Sequence, residues 1–195
     1  MAKFFDLALD KYQALQFSSP VRAKSDVIVL WMNVVKAFLV QQPPAESDVA
    51  AALSINISTM SRVFCTLNDG RKIYSISFPF TVRKNGNEIH FFSRDGIAID
   101  SQMSSLVITL VNTDCVLDAS DPYAFMDPVL NAMDINQGAW SLLREPMLAE
   151  DGYVRYDWDT ERVNGHLHPE HHLDLCYSNP STFKVGLSRQ LTQAA

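Results

Sequence analysis

The chain has 195 residues, 47% hydrophobic and 19% charged, with 7 Gly and 9 Pro, which excludes a disulfide-held miniprotein, a disordered chain and a low-complexity segment. Lys and Arg number 16 against 22 Asp and Glu, a formal charge of -6, so the field of the whole molecule repels a phosphate backbone and nucleic acid must meet a local patch. Cys65, Cys115 and Cys176 are widely spaced with no C-x-x-C pair, which excludes a disulfide framework and a zinc ribbon and points to a reducing, cytoplasmic setting.

The start, Met1-Ala2-Lys3-Phe4-Phe5-Asp6, lacks the apolar core and small-residue cleavage site of a secretory signal, so no export is expected. From Lys3 to Phe17, Phe4, Phe5, Leu7, Ala8, Tyr12 and Leu15 recur at helical spacing until Ser18-Ser19-Pro20. A second helix is predicted from Ser25 through Leu30, Trp31, Val34, Val35 and Phe38 to Gln42, where Pro43-Pro44 ends it. Its apolar stretch, Val27 to Val40, contains Asn33 and Lys36 and falls short of the roughly 20 residues a bilayer requires, so no membrane association is expected. A third short helix is expected from Asp48 to Leu53.

Ala50, Leu53, Ser54, Ile55, Met60 and Val63 fit a helix-turn-helix, with a small residue at the crossing and apolar residues around the turn. The segment Leu53 to Val63, closing at Leu67-Asn68-Asp69-Gly70, resembles the turn and recognition helix of winged-helix regulators. That resemblance implies a DNA-reading face at Asn56, Ser58, Thr59, Ser61 and Arg62, with the hairpin at Asn85-Gly86 as the wing. Ser54 stands where such turns take Gly, and Arg62 alone is cationic on the presumed reading helix. The same residues also fit a hairpin, with Ser58 to Leu67 as a strand and Asn68-Asp69-Gly70 as the turn.

From Arg71 onward β-type alternation takes over. Ile73 to Phe78 reads as a strand, and Asn85-Gly86 marks a type I′ hairpin returning through Glu88 to Phe92. Ser105 to Val111 tilts to strand on its β-branched content, and helices are expected over Pro122 to Met133 and Ala139 to Leu148. Alternation then predicts three strands of an antiparallel meander, Tyr153 to Trp158, His171 to Tyr177 and Phe183 to Leu187, with Ser178-Asn179-Pro180-Ser181 as the second connection.

His166, His168, His171 and His172 fall within seven residues. Imidazole ligates transition metals and titrates near neutral pH, so the cluster invites metal binding, proton transfer or phosphate contact. In an extended strand His172, Asp174 and Cys176 face one way and are the candidate ligands of a divalent transition metal, sharing that face with Arg155, Asp157 and Lys184. The candidate catalytic set is His168, His171, His172 and Asp174, with Arg155 or Lys184 stabilising charge. H-E-x-x-H, a deaminase cysteine pair and G-x-S-x-G are absent. The structural alternative packs the rings on Trp158, Tyr156 and Tyr177, with hydrogen bonds to Asp157, Asp174 and Glu170.

Tyr153-Val154-Arg155-Tyr156-Asp157-Trp158, followed by His168-Pro169-Glu170-His171-His172-Leu173-Asp174, resembles prokaryotic families that include the TumE-type toxins. The likeness covers the C-terminal ~40 residues and implies a bacterial accessory protein of toxin or phage-defence type.

The whole therefore reads as one α+β domain over residues 1–195: an N-terminal helical, helix-turn-helix-like lobe over 1–70, then a mainly antiparallel sheet with additional helices over 71–195. Two functions compete. One is action on RNA or another phosphate-bearing substrate through the histidine cluster. The other is a non-enzymatic subunit with a protein partner, or a winged-helix-like regulator, nucleic acid being disfavoured by the net charge.

Overall fold

The computed structural model describes residues 3–86, 88–113, 116–117, 123–176 and 182–191. In chain order the elements are β1 (Lys3–Leu9), α1 (Lys11–Ser18), α2 (Lys24–Val40), β2 (Ala51–Ile57), β3 (Arg62–Leu67), β4 (Lys72–Ser77), β5 (Thr81–Asn85), β6 (Glu88–Phe92), β7 (Ala98–Ile99), α3 (Ser101–Val111), α4 (Met126–Ile135), α5 (Ala139–Leu148), β8 (Tyr153–Trp158), β9 (His171–Cys176) and β10 (Thr182–Gly186). The class is α+β with antiparallel sheets. The chain divides into two compact units, Met1–Ser19 with Gln42–Phe78 and Glu150–Ala195, and Pro20–Gln41 with Pro79–Ala149, so no boundary falls at residue 70. No helix among the described residues is long and apolar enough to cross a membrane.

The first unit is built on a sheet ordered β1-β2-β3-β4-β8-β9-β10. Phe5, Leu7 and Leu9 of β1, Ala51, Leu53 and Ile55 of β2, Val63, Cys65 and Leu67 of β3, and Tyr74 and Ile76 of β4 alternate onto one buried face. Helix α1 contacts β1 and β3 and buries Phe17. Its start is written at Asp10, whose carboxylate accepts from the amides of Tyr12 (2.7 Å) and Gln13 (2.8 Å) while Gln13 Oε1 accepts from the Asp10 amide (3.0 Å). The single helix expected from Lys3 to Phe17 is thus a strand and a helix, because Phe5, Leu7 and Leu9 also satisfy the period of two.

The helix-turn-helix is overturned by the same ambiguity. Residues 51–67 form the β2/β3 hairpin, in which Leu53 pairs with Cys65 and Ile55 with Val63. Asn56 lies at the end of β2, Ser58, Thr59 and Ser61 lie in the connection, and Arg62 opens β3. Ser58 and Ser61 close the turn with hydroxyl bonds to the carbonyls of Met60 (3.0 Å) and Ser58 (3.1 Å), the competition between short polar side chains and helical backbone that disfavours a helix here. No reading helix exists in this segment, and the helix expected over Asp48 to Leu53 is replaced by one 3₁₀ turn, Glu46–Asp48, and the start of β2. The hairpin alternative is what forms, with Asp69 (φ 53°) and Gly70 (φ 82°) turning the chain into β4.

In the second unit α2 buries Val27, Ile28, Leu30, Trp31, Met32, Val34, Val35 and Phe38, with Trp31 edge-on to Phe80 (centroids 6.3 Å apart). The helix contacts α3, α5 and β6. Asn85 pairs with Glu88, so the hairpin forms where expected, with Asn85 as the last residue of β5 and Gly86 (φ 60°) in the turn. Ser105 to Val111 belongs to α3 and is not a strand: Asp100 caps the helix through the Met103 amide (2.7 Å), and Met103, Val107, Leu110 and Val111 are buried at helical spacing. Packing against α2 overrides the mild cost of its β-branched residues. Helix α4 spans Met126–Ile135, and Pro122 of the expected helix, like the connection 178–181, lies outside the described residues.

Arg62 now holds the sheet together, its Nε donating to Ser75 Oγ (2.7 Å) and its Nη2 to the Gly152 carbonyl (2.5 Å). Arg62→Ala is expected to lower the unfolding free energy in urea by about 1 to 3 kcal/mol, the cost of losing charge-assisted bonds. A variant of unchanged stability that loses salt-sensitive binding to duplex DNA would return Arg62 to a reading role.

Candidate functional site

One row of directly opposed residues crosses the whole first-unit sheet: Leu7, Leu53, Cys65, Tyr74, Arg155, Asp174 and Lys184. The row beside it reads Leu9, Ala51, Leu67, Lys72, Asp157, His172 and Gly186. The face that is apolar over β1 to β4, Lys72 apart, therefore becomes ionic over β8 to β10, as the strand alternation of the C-terminal third implies. Within the apolar half, burial pushes the Cys65 thiol up to about 11 against the opposing Tyr74 hydrogen bond and Lys72 charge. Cys65 is a core side chain and not a nucleophile.

At the centre of the ionic half is Arg155. Its Nε donates to Asp157 Oδ2 (2.7 Å) and its Nη2 to Asp174 Oδ2 (2.5 Å), while Lys184 Nζ lies 2.8 Å from Asp174 Oδ1. Two carboxylates thus meet two cations, and Lys72 stands opposite Asp157 as a third. Burial alone raises the Asp174 carboxyl, but the Lys184 hydrogen bond and the charges of Arg155, Lys184 and His172 outweigh it and hold Asp174 below its ordinary range. Burial likewise opposes the charge on Arg155, and Asp157 foremost, with Tyr153 and Asp174, more than restores it.

His172 is 1% exposed. Its Nδ1 is 2.8 Å from the Pro169 carbonyl, which can only accept, so Nδ1 carries the proton and Nε2 points toward Asp157 Oδ2, 3.7 Å away. The His168 ring lies against it, centroids 4.7 Å apart. His168 Nε2 is 3.1 Å from Asp159 Oδ2, and Asp159 Oδ1 accepts from the amides of Glu161 and Arg162 (both 3.1 Å). Burial opposes ionisation of Asp159, yet the His168 bond, these amides and the Arg162 charge hold its carboxyl down at about 2. Asp159 was not among the residues singled out from the sequence. Its signal was the capping position ahead of Thr160-Glu161-Arg162, the start of the connection between β8 and β9.

The connection folds back over the sheet. Asn164 and His168 form a bridge, with the Asn164 amide donating to the His168 carbonyl (2.8 Å) and Gly165 at φ 50°. Pro169 sits over Gly186 so closely that a Cβ there would come within 2.9 Å of its ring. Gly186 is therefore required by the approach of the connection.

His171 faces the other way. Its Nδ1 is 2.8 Å from the Tyr156 hydroxyl and its ring lies over Tyr156 (6.2 Å, 7° between planes) and Trp158 (5.6 Å). Trp158 Nε1 donates to Glu170 Oε1 (3.0 Å), and the Arg71 guanidinium lies 5.2 Å above the Trp158 ring. The expected set is thus divided by the sheet: Arg155, Asp157, His172, Asp174 and Lys184 converge, His168 stands at their rim, and His171 is packed structurally on the opposite face. His166 is exposed in the connection. Asp157, His172 and Asp174 offer one ligand atom each, all within 4.8 Å of one another. The side chain of Cys176, the third ligand expected from the sequence, lies outside the described residues, as does Tyr177.

No family model, curated protein or solved structure matches the chain.

Removing Arg155 leaves two carboxylates facing each other without their shared cation. Arg155→Met is expected to cost about 3 to 5 kcal/mol in urea unfolding, and Asp157→Asn with Asp174→Asn added to it should recover most of that loss. Equal stability of wild type and Arg155→Met would show that the bridge contributes nothing.

Both depressed carboxyls, Asp159 and Asp174, stabilise the fold above the ordinary carboxylate range, and that contribution is lost as pH falls through their folded values, down to about 2 for Asp159. The thermal midpoint is therefore expected to fall between about pH 5 and pH 2, with a shallower fall in Asp159→Asn. An acid limb of the same steepness in that variant would remove Asp159 from the account.

Proposed function

We propose that this chain works as a non-enzymatic interaction subunit, with β10 as the edge to which an extended segment of a protein partner adds. One observation carries the reading: Arg155 and Lys184 are paired with Asp157 and Asp174 beneath a folded connection, while the outer edge of β10 pairs with no strand among the described residues. The Leu187 amide donates to the His171 carbonyl (2.8 Å), so in this register the amides of Lys184 and Gly186 point outward. Phe183 and Val185, 60% and 43% exposed, project from the face opposite the ion cluster. Outward amides beside exposed apolar side chains are the elements of strand addition, in which backbone bonds supply affinity and alternate side chains supply selection. The partner this edge suits is an extended strand with apolar residues at alternate positions.

A second reading, hydrolysis of RNA or another phosphate-bearing substrate by a toxin- or defence-type protein, rests on the pair formed by His168 and Asp159. His168 is 26% exposed at its side chain and its carboxylate partner is held ionised, the arrangement of an oriented acid-base imidazole.

The two readings separate on two variants. Val185→Lys is expected to abolish retention of a partner co-purified with the full chain from its native host, while His168→Ala retains it, and purified protein should leave RNA uncleaved. Cleavage of RNA that is lost in His168→Ala, with partner retention unaffected by Val185→Lys, would reverse the ranking.

A further inference from the structure

We propose that Asp157, His172 and Asp174 form a binding site for one divalent transition-metal ion, and that Lys184 is the cation such an ion displaces. The sheet register brings the three residues together: Asp157 lies directly opposite His172 on the neighbouring strand, and Asp174 follows His172 by two on the same face. Their donor atoms lie within 4.8 Å of one another. Three ligands each about 2.1 Å from one ion in tetrahedral geometry stand about 3.4 Å apart, so binding requires the widest pair to close by roughly 1.4 Å through side-chain torsions.

The second observation is the imidazole itself. His172 is 1% exposed, and the Pro169 carbonyl fixes its proton on Nδ1. Nε2 is buried and faces Asp157 Oδ2 at 3.7 Å, a contact beyond hydrogen-bond reach. A divalent ion placed between them would take the Nε2 lone pair and the carboxylate oxygen as ligands at once. A carbonyl that orients the far nitrogen is also how metal-ligating histidines are held.

Arg155 does not block the site. It takes Oδ2 of each carboxylate and so orients both, as hydrogen-bonded ligands in metal centres are oriented, and each ionised carboxylate keeps further lone pairs for a second cation. On Asp174 that cation is Lys184, 2.8 Å from Oδ1, on a flexible stem and 29% exposed at its side chain. The ammonium can leave to water while the guanidinium stays. Arg155 and Lys72, which lies opposite Asp157, balance the two carboxylates, so a divalent ion in place of Lys184 adds one positive charge to the group. One imidazole nitrogen with two carboxylate oxygens suits zinc, cobalt, iron or manganese better than calcium, which takes six to eight oxygens, or magnesium, which keeps several waters.

Cobalt(II) is the probe, because its visible absorption reports ligand type and number. The full chain, treated with chelator and dialysed at pH 7, is titrated with cobalt chloride and followed by absorption and calorimetry. One ion per chain is expected, weakened by about tenfold or more in Asp157→Asn and in His172→Gln, bound at least as tightly in Lys184→Met, and unchanged within about twofold in His166→Ala. Circular dichroism establishes that each variant is folded. Should His172→Gln fail to fold, loss in Asp157→Asn together with retention in Lys184→Met decides the matter. No binding at millimolar cobalt, or binding that survives Asp157→Asn and disappears in His166→Ala, overturns the proposal by making the ion absent or held by surface imidazole.

Discussion

The guanidinium of Arg155 spans β8 and β9 by holding Oδ2 of Asp157 on its own strand and Oδ2 of Asp174 on the next. Its planar fork can serve two carboxylates at once, which a lysine ammonium on the same strand would serve as a point charge only. With Arg155 in place, Asp174 can be buried, Lys184 of β10 has a fixed anion to meet, and His172 can sit beside Asp157 as a buried ring. Without it the face would hold two carboxylates in close contact under a covering chain, with Lys184 reaching Asp174 alone.

The position of this bridge explains the division of the sheet. Rows that begin as Leu7-Leu53-Cys65-Tyr74 and Leu9-Ala51-Leu67 gather buried area across four strands, and non-directional burial supplies their cohesion. Arg155 is the first residue past Tyr74 in its row, and there the sheet changes from burial to paired charge. Ion pairs are directional, so the polar half specifies register where the apolar half tolerates it. In the non-hydrogen-bonded pairing of Lys184 with Asp174 the side chains come closest, which places the ammonium on the carboxylate.

The histidines divide by the same geometry. His171 and His172 are adjacent and therefore lie on opposite faces. His171 joins Tyr156 and Trp158 in an aromatic stack, while His172 joins the ions and is steered by the carbonyl of Pro169. His168 stands between the sheet and the solvent, held by a carboxylate, Asp159, that also caps the connection. A dense histidine segment thus contains a structural ring, a candidate ligand and an oriented rim imidazole.

Much of this was legible in residue order. The alternation of Tyr153 to Trp158, of His171 onward and of Phe183 onward defined three strands and placed Arg155, Asp157, His172, Asp174 and Lys184 on one face, because a period of two leaves no choice of side. Helix α2 and its stop at Pro43 were legible for the same kind of reason, a long unambiguous period and a residue that cannot continue it. Residues 3–9 and 51–67 were not, since Phe5, Leu7 and Leu9, or Leu53, Ile55 and Val63, fit a helix face and a strand face alike. What settled them was pairing with partners distant in the chain: β1 with β2, and β4 with β8 across the 79–149 segment. That pairing also decided that Lys72 and Tyr74 stand beside Asp157 and Arg155. Local spacing determines which side of a strand a residue occupies, whereas its neighbour in the row is set by burial summed over the whole sheet, a quantity that exists only in the folded chain.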